Sequence, residues 1–201
     1  MSTPQRPSTA PDRRTLIADT AIDLVAAVGL RGLTHRAVDS AAALPAGSTS
    51  YYFRTRTALI GACYRRLAEL DLADLDGDAP APASDRDAAA GALGALLHRW
   101  LTAGRTRQLA RFELSLEAAR NTELEAELHQ AGLGARARAA AILSALGAER
   151  PQESAELLAA WTDGLLYDRL AGALARSRPS PDPAELTDTA RRMIDAALAD
   201  S

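Results

Sequence analysis

Apolar residues recur along this chain at three- and four-residue intervals almost without interruption, and those intervals predict helices from end to end. Between residues 13 and 28, Ile17, Ala21, Leu24, Val25 and Val28 make one stripe, which Gly29 ends, with Asp19 and Asp23 on the solvated side. A short helix over 34–42 follows, opened by Thr34 as a cap and turning Val38, Ala41 and Ala42 inward. Pro45 interrupts it, because proline lacks an amide hydrogen, disfavours helical geometry at Leu44 and suits the first turn of a new helix over about 45–52. Beyond Arg54-Thr55-Arg56 a longer helix spans 56–75, with Leu59, Ile60, Cys63, Leu67, Leu70 and Leu75 on its buried face.

The stretch DGDAPAPAS at 76–84 cannot continue a helix and reads as a surface loop. After it, Leu93, Leu96, Leu97, Trp100 and Leu101 define a helix over 85–103, broken at Gly104. The next covers 106–120, with Leu109, Phe112, Leu116 and Ala119 on one face. Another starts at Asn121-Thr122 and reaches 145, with Gly132 and Gly134 as points where it could kink or divide. Pro151 opens a long helix to about 176 that is apolar on more than one face, so it is buried from several sides or packs on another molecule; Gly164 and Gly172 would permit close approach of a neighbour. A stiff turn at 178–183 leads to the last helix, 184–199, with Leu186, Ala190, Met193, Ile194, Ala197 and Leu198 inward.

Composition sharpens this picture. Hydrophobic residues make up 47% of the 201 while aromatics are only 4%, so the interior is built from Ala and Leu, which favour helix over strand. The net charge of −3 hides an asymmetry: residues 1–66 carry nine Arg against four Asp, and residues 67–201 carry 14 Arg against 22 acids. A basic head on an acidic body is the footprint of a modular DNA-binding protein.

The two short helices around Ala43-Leu44-Pro45 have the dimensions of a helix-turn-helix, whose second helix enters the major groove. The order Gly29, Gly32, Thr34, Arg36, Val38, Ala42, Gly47, Tyr51, Phe53, Arg56 and Leu59 resembles the amino-terminal domain of TetR-family transcriptional repressors, over about 13–67. Five positions depart from the commonest pattern: Ala43 replaces a turn glycine, Asp39 a small apolar residue, Ser50 a tyrosine, Tyr52 a histidine and Arg56 a lysine. Ala43 puts the turn's left-handed residue in question, since alanine is penalised there and glycine is not.

The resemblance implies a ligand-responsive regulator, a repressor that binds a pseudo-palindromic operator as a homodimer and is released by a small molecule. Its fold would be all-α, about nine helices. In order these are a tail over 1–11, a three-helix DNA-binding domain over 12–56, a connecting helix over 57–75, and a ligand-binding and dimerisation domain over 76–201. Thr34, His35, Arg36, Tyr51, Tyr52, Arg54 and Arg56 would meet the phosphate backbone. Ala46, Ser48, Thr49 and Ser50, with Arg36, would read bases. The last two helices would pair with their symmetry mates; the alternative is that they are internal core only. For the effector pocket, the large and polar groups of the body are the candidates: Trp100, Arg107, Phe112, Glu113, Leu116, Trp161, Asp163, Tyr167 and Asp168, each of which alone could equally be core or surface.

Other classes fit less well. His35, His98 and His129 stand far apart with no ligand at metal spacing, so no metal site and no cofactor is expected. No nucleophile turn or glycine-rich phosphate loop is present, which argues against an enzyme with catalytic residues. No apolar run is long enough for a bilayer and the first residues, MSTPQRPSTAPD, lack a secretion signal, so no membrane partner and a cytoplasmic location are expected. The tail over 1–11 reads as disordered, a basic arm on DNA being the alternative. Cys63 reads as a small core residue rather than a redox sensor. Outside the regulator class, an all-α dimeric ligand-binding protein whose head does not bind DNA is the competing reading.

Overall fold

The computed structural model describes residues 12–77 and 85–199, and every regular element within them is a helix. The order is α1 (Arg13–Gly32), α2 (His35–Ala41), α3 (Ser48–Tyr52), α4 (Arg56–Gly77), α5 (Arg86–Leu101), α6 (Arg105–Ala118), α7 (Thr122–Ala145), α8 (Pro151–Leu170) and α9 (Pro183–Ala199). The all-α expectation therefore holds. The tail over 1–11 and residues 78–84 of the expected loop lie outside the described residues, while Asp76 and Gly77, also assigned to that loop, close α4.

One core runs beneath α1, α2 and α4, with Ile17, Ala21, Val25, Leu33, Val38, Leu59, Ile60 and Leu67 buried. It continues without a break into α6 through Ala110, Leu114 and Ala118, and into α7 through Leu124. A second core joins α5, α8 and α9 around Leu97, Leu166 and Leu186. The two most extensive helix pairings are α5 on α9 and α4 on α7. Cys63 is fully buried in the first core, where burial first and the Asp19 carboxylate second push its thiol up to about 12. It stays protonated and acts as a small apolar filler.

Gly29 breaks α1 with φ 73° and ψ 174°, a backbone that favours glycine, and a Cβ there would lie 2.9 Å from Glu113 Oε1. That break moves the inward register on to Leu30 and Leu33 and leaves Val28, expected inside, 59% exposed. Other expectations change for similar reasons. In α2 the register turns Val38 and Asp39 inward and leaves Ala41 exposed. In α6 the inward stripe is Ala110, Leu114 and Ala118, so Leu116 points to solvent.

Helix α7 passes Gly132 and Gly134 undivided. Helix α8 stops at Leu170, six residues short of the expected end, because the amides of Ala171 and Gly172 both donate to Tyr167 O, at 2.8 and 2.9 Å, and close the helix. The expected close approach of a neighbouring helix at Gly164 has no counterpart within the chain, where a Cβ would meet open space. A close approach does occur at Gly94 of α5, which lies so near α9 that a Cβ would sit 2.7 Å from Thr187 Cα.

Candidate functional site

The turn between α2 and α3 is built on two of the departures noted in the sequence. Ala43 adopts a left-handed conformation, φ 51°, in which Leu44 N donates to Asp39 O at 2.8 Å and Ala43 N to Ser40 O at 3.3 Å. This pair of bonds closes a helix end in the Schellman manner at a cost to alanine of about 1 kcal/mol. The other departure offsets that strain. Asp39 is buried, and its carboxylate accepts from Gly47 N (2.8 Å), Thr49 N (2.7 Å) and Thr49 Oγ1 (2.6 Å), tying the start of α3 to α2. Desolvation alone would raise its pKa; the bonds from Thr49 and Gly47, with His35 nearby, outweigh it and hold the carboxyl below its ordinary value. Helix α3 starts at Ser48 rather than 45, since residues 45–47 are spent on this turn.

These bonds reassign several of the residues expected to meet DNA. Thr49, expected to read bases, is fully buried with its hydroxyl committed to Asp39, so it faces α2 and not the groove. Arg56 donates to Leu30 O at 2.7 Å and lies 3.6 Å from Glu117, so its guanidinium braces α1 against α6 while its side chain stays 44% exposed. His35 Nε2 donates to Phe53 O at 2.7 Å and holds the end of α3. Ser48 Oγ donates to Pro45 O at 2.6 Å, and Thr34 caps α2 by accepting from Ala37 N at 3.1 Å. Tyr52 is half-buried, edge-on to Tyr51, with the Arg14 guanidinium 5.5 Å above its ring. Arg36, Ala46, Ser50 and Arg54 are exposed, and Tyr51 is 80% exposed. Together they offer hydroxyl, guanidinium and methyl groups to solvent around α2 and α3.

A clean contrast follows. Thr49→Ala is expected to lower stability by about 1–2 kcal/mol through an orphaned buried carboxylate lone pair, and to weaken binding to all DNA sequences alike. Tyr51→Ala should leave the thermal midpoint in place while reducing DNA affinity, as fluorescence anisotropy and a melting curve would register side by side.

In the body, α4, α5, α7 and α8, with Arg111 of α6 and Ile194 of α9, enclose a cavity of about 690 Å³. Its walls are largely Ala and Leu, with Trp100 as the aromatic surface. At one side lies a charged network: Trp100 Nε1 donates to Asp74 at 2.8 Å, Arg107 donates to Asp74 and stands 3.7 Å from Asp71, and Arg111 pairs with Asp163. Arg111 also lies 6.0 Å from the centre of the Trp100 ring and 5.4 Å from that of Phe112.

Of the nine expected pocket residues, only Trp100 and Asp163 line this cavity. Arg107 stands behind the wall, held by Asp74. Phe112 packs edge-on against Tyr167, which is itself half exposed, and Asp168 pairs with Arg178. Trp161 lines a separate small groove with Met193, and Leu116 is on the surface. Glu113 is turned away from the cavity altogether, accepting from Leu30 N at 2.9 Å.

The sequence reading passed over Asp71 and Arg111. Asp71 follows Leu67 by four residues, which places a carboxylate on the apolar stripe of α4, and that was the signal available.

Burial, first of all, raises the Asp71 carboxyl from 3.8 to about 6, with Asp74 and Asp163 adding to it and Arg111 and Arg107 opposing. The folded state thus holds this proton more tightly than the unfolded chain does, so Asp71 makes stability fall as pH rises from about 4 to about 6 and then level off. Asp71→Asn should remove that slope and raise stability at pH 7.5 by about 2 kcal/mol, measured by urea denaturation across the range.

A helix-turn-helix head with exposed polar residues, fused to a helical body around a largely apolar cavity, defines a class of one-chain transcriptional regulators. Residues 84–200 match the family model described as "Tetracyclin repressor-like, C-terminal domain". The chain belongs to the TetR family of transcriptional regulators. Among similar solved structures, the multidrug binding protein EbrR complexed with ethidium is 31% identical over 91% of this chain and 98% of that one, with a TM-score of 0.67. A TetR-family member from Streptomyces coelicolor A3 is 29% identical over 91% and 98%, at a TM-score of 0.69. A transcriptional regulator from Rhodococcus sp. Rha1 shares the fold at a TM-score of 0.75, with 24% identity over 94% and 97%. A comparison with curated proteins finds no match. No helix among the described residues is long and apolar enough to cross a membrane, and no group of three His, Cys, Asp or Glu among them is placed to hold a metal ion.

Proposed function

We propose that this chain is a homodimeric repressor that covers a pseudo-palindromic operator and leaves it when a small molecule occupies the body cavity. The observation that carries the reading is the double engagement of α6. Arg111 is part of the cavity wall, and two residues on, Glu113 accepts from Leu30 N at the base of the helix-turn-helix, with Glu117 beside Arg56. A ligand that displaces α6 therefore changes how the head is held. It releases DNA in proportion to its preference for the displaced state.

DNA contact falls to Arg36, Ala46, Ser50, Tyr51 and Arg54, with Thr34 and the backbone amides at the start of α2 and the exposed Arg56 on phosphate, while His35, Ser48, Thr49 and Tyr52 hold these elements in place. The head is residues 12–56, joined by α4 to a body from 76 onward. Dimerisation uses α8 and α9: Leu157, Trp161, Gly164 and Asp168 succeed one another at three- and four-residue spacing, Leu157 is 37% exposed, and Gly164 leaves room for a facing helix.

A mobility-shift assay with the DNA upstream of the protein's own gene tests this. A sequence-selective, salt-sensitive complex of two chains per site is expected, and its absence at all concentrations rejects the proposal in favour of a ligand-binding protein without DNA. Glu113→Ala should bind operator yet lose about fivefold of the ligand-dependent change in affinity, since one strut between cavity and head is gone.

A further inference from the structure

The arginines around the head fall into two groups. Arg56, Arg65 and Arg66 are each paired with a carboxylate, of Glu117, Glu127 and Asp19 respectively, and so tie helices together. Arg14, in the first turn of α1, is held differently. No carboxylate among the described residues pairs with it. Its guanidinium carbon lies 5.5 Å from the centre of the Tyr52 ring and 5.4 Å from that of Phe53, and its Nη1 donates to Tyr52 O at 3.4 Å.

Aromatic faces and a carbonyl steady a guanidinium without neutralising it. Of the donors an arginine carries, one is taken here and the rest remain. Arg14 is exposed, whereas Phe53, one of its two supports, is buried. The charge is therefore accessible and already placed, so a partner meets it at little entropic cost. Helix stability does not account for an arginine at this position, because the first turn of α1 holds no acid and a cation there opposes the helix dipole.

Placement decides the partner. Arg14 rests on the last residue of α3 and the one after it; Tyr52 follows the exposed Tyr51, and Phe53 precedes the exposed Arg54. A helix of five residues is about 7.5 Å long, against a major groove about 12 Å wide, so groups beside its ends lie near the phosphates that wall the groove. We propose that Arg14 is a phosphate contact of the DNA-binding head, so that the DNA face extends from α2 and α3 on to the first turn of α1. The proposal rests on the reading of the head as a DNA reader. Two chains on one operator would add two such contacts, neither of which reads sequence.

Fluorescence anisotropy of the full chain with the DNA upstream of its own gene, and with a duplex of unrelated sequence, from about 50 to 200 mM salt tests the idea. Arg14→Gln is expected to weaken both complexes by the same factor and to lower the slope of log affinity against log salt by about 0.9 per chain, or about 1.8 per dimer. Arg14→Lys keeps the charge without the planar stack and should retain the slope. A guanidinium that only braced α3 would leave the native slope in Arg14→Gln and lower the melting midpoint of both variants, and that pattern overturns the proposal. Should Arg14→Gln fold poorly, Arg14→Met, which keeps an apolar stem beside both rings, carries the same slope test. No complex of the native chain with either duplex rejects the regulator reading and this contact with it. A native complex whose slope Arg14→Gln leaves intact rejects this contact alone.

Discussion

Asp39→Ala is expected to disable the DNA-binding head. The substitution leaves Gly47 N–H, Thr49 N–H and the Thr49 hydroxyl without their shared acceptor, in a place where Asp39 is 5% exposed and water cannot replace it. With charge-assisted bonds each worth about 1.5–3 kcal/mol and partly coupled, the loss should be about 3–4 kcal/mol. Asp39→Asn keeps one acceptor but turns an NH₂ toward a donor, and should cost about half as much. The left-handed Ala43 makes the site more dependent on Asp39, since the side-chain bonds add to the two backbone bonds that hold the turn in that strained shape. Urea denaturation and operator affinity should fall together, for every sequence. A variant within 0.5 kcal/mol of the native chain and binding DNA normally would sink this account. The sign with pH runs opposite to Asp71: the carboxyl's pKa is depressed on folding, so its contribution is present above the ordinary value and lost as pH falls through the folded one.

Gly94→Ala is the other large effect. Its methyl would meet Thr187 at 2.6 Å from Oγ1, 2.7 Å from Cα and 2.9 Å from N, and two of those atoms are backbone that cannot rotate away. Helices α5 and α9 would have to separate along the second core, where Leu97 and Leu186 are fully buried, at about 2–4 kcal/mol. Because α9 is also a proposed dimer helix, the subunit equilibrium should shift toward monomer, visible by sedimentation alongside a lowered melting midpoint. Gly91→Ala, one turn earlier on α5 with open space around it, is the control and should be neutral or slightly stabilising.

The sequence made the helices legible because periodicity and proline are local signals: Pro45 and Pro151 and the Leu67-to-Leu101 stripes place the elements within a few residues. Asp39 reads in the sequence only as a departure, since nothing local reveals that three donors eight and ten residues on converge upon it. Thr49 looked like a DNA contact and Arg56 like a free cation because both are polar residues beside a recognition helix; their commitment to Asp39 and to Leu30 O depends on packing that the one-dimensional pattern does not encode. The cavity was harder still. Large aromatic residues of the body, such as Phe112 and Trp161, went to cores and grooves elsewhere, and the chamber is lined largely by Ala and Leu of several helices, with the small alanines of α5, α7 and α8 leaving the space.

Arg111 and Glu113 sit two positions apart, so their side chains leave the α6 axis about 200° from one another. A twist of roughly ten degrees would carry a carboxylate at a radius of about 6 Å sideways by about 1 Å, which is enough to part the 2.9 Å bond to Leu30. A guest no heavier than a dye could thereby unfasten a clamp it never touches, with the rod turning in its bearings rather than sliding.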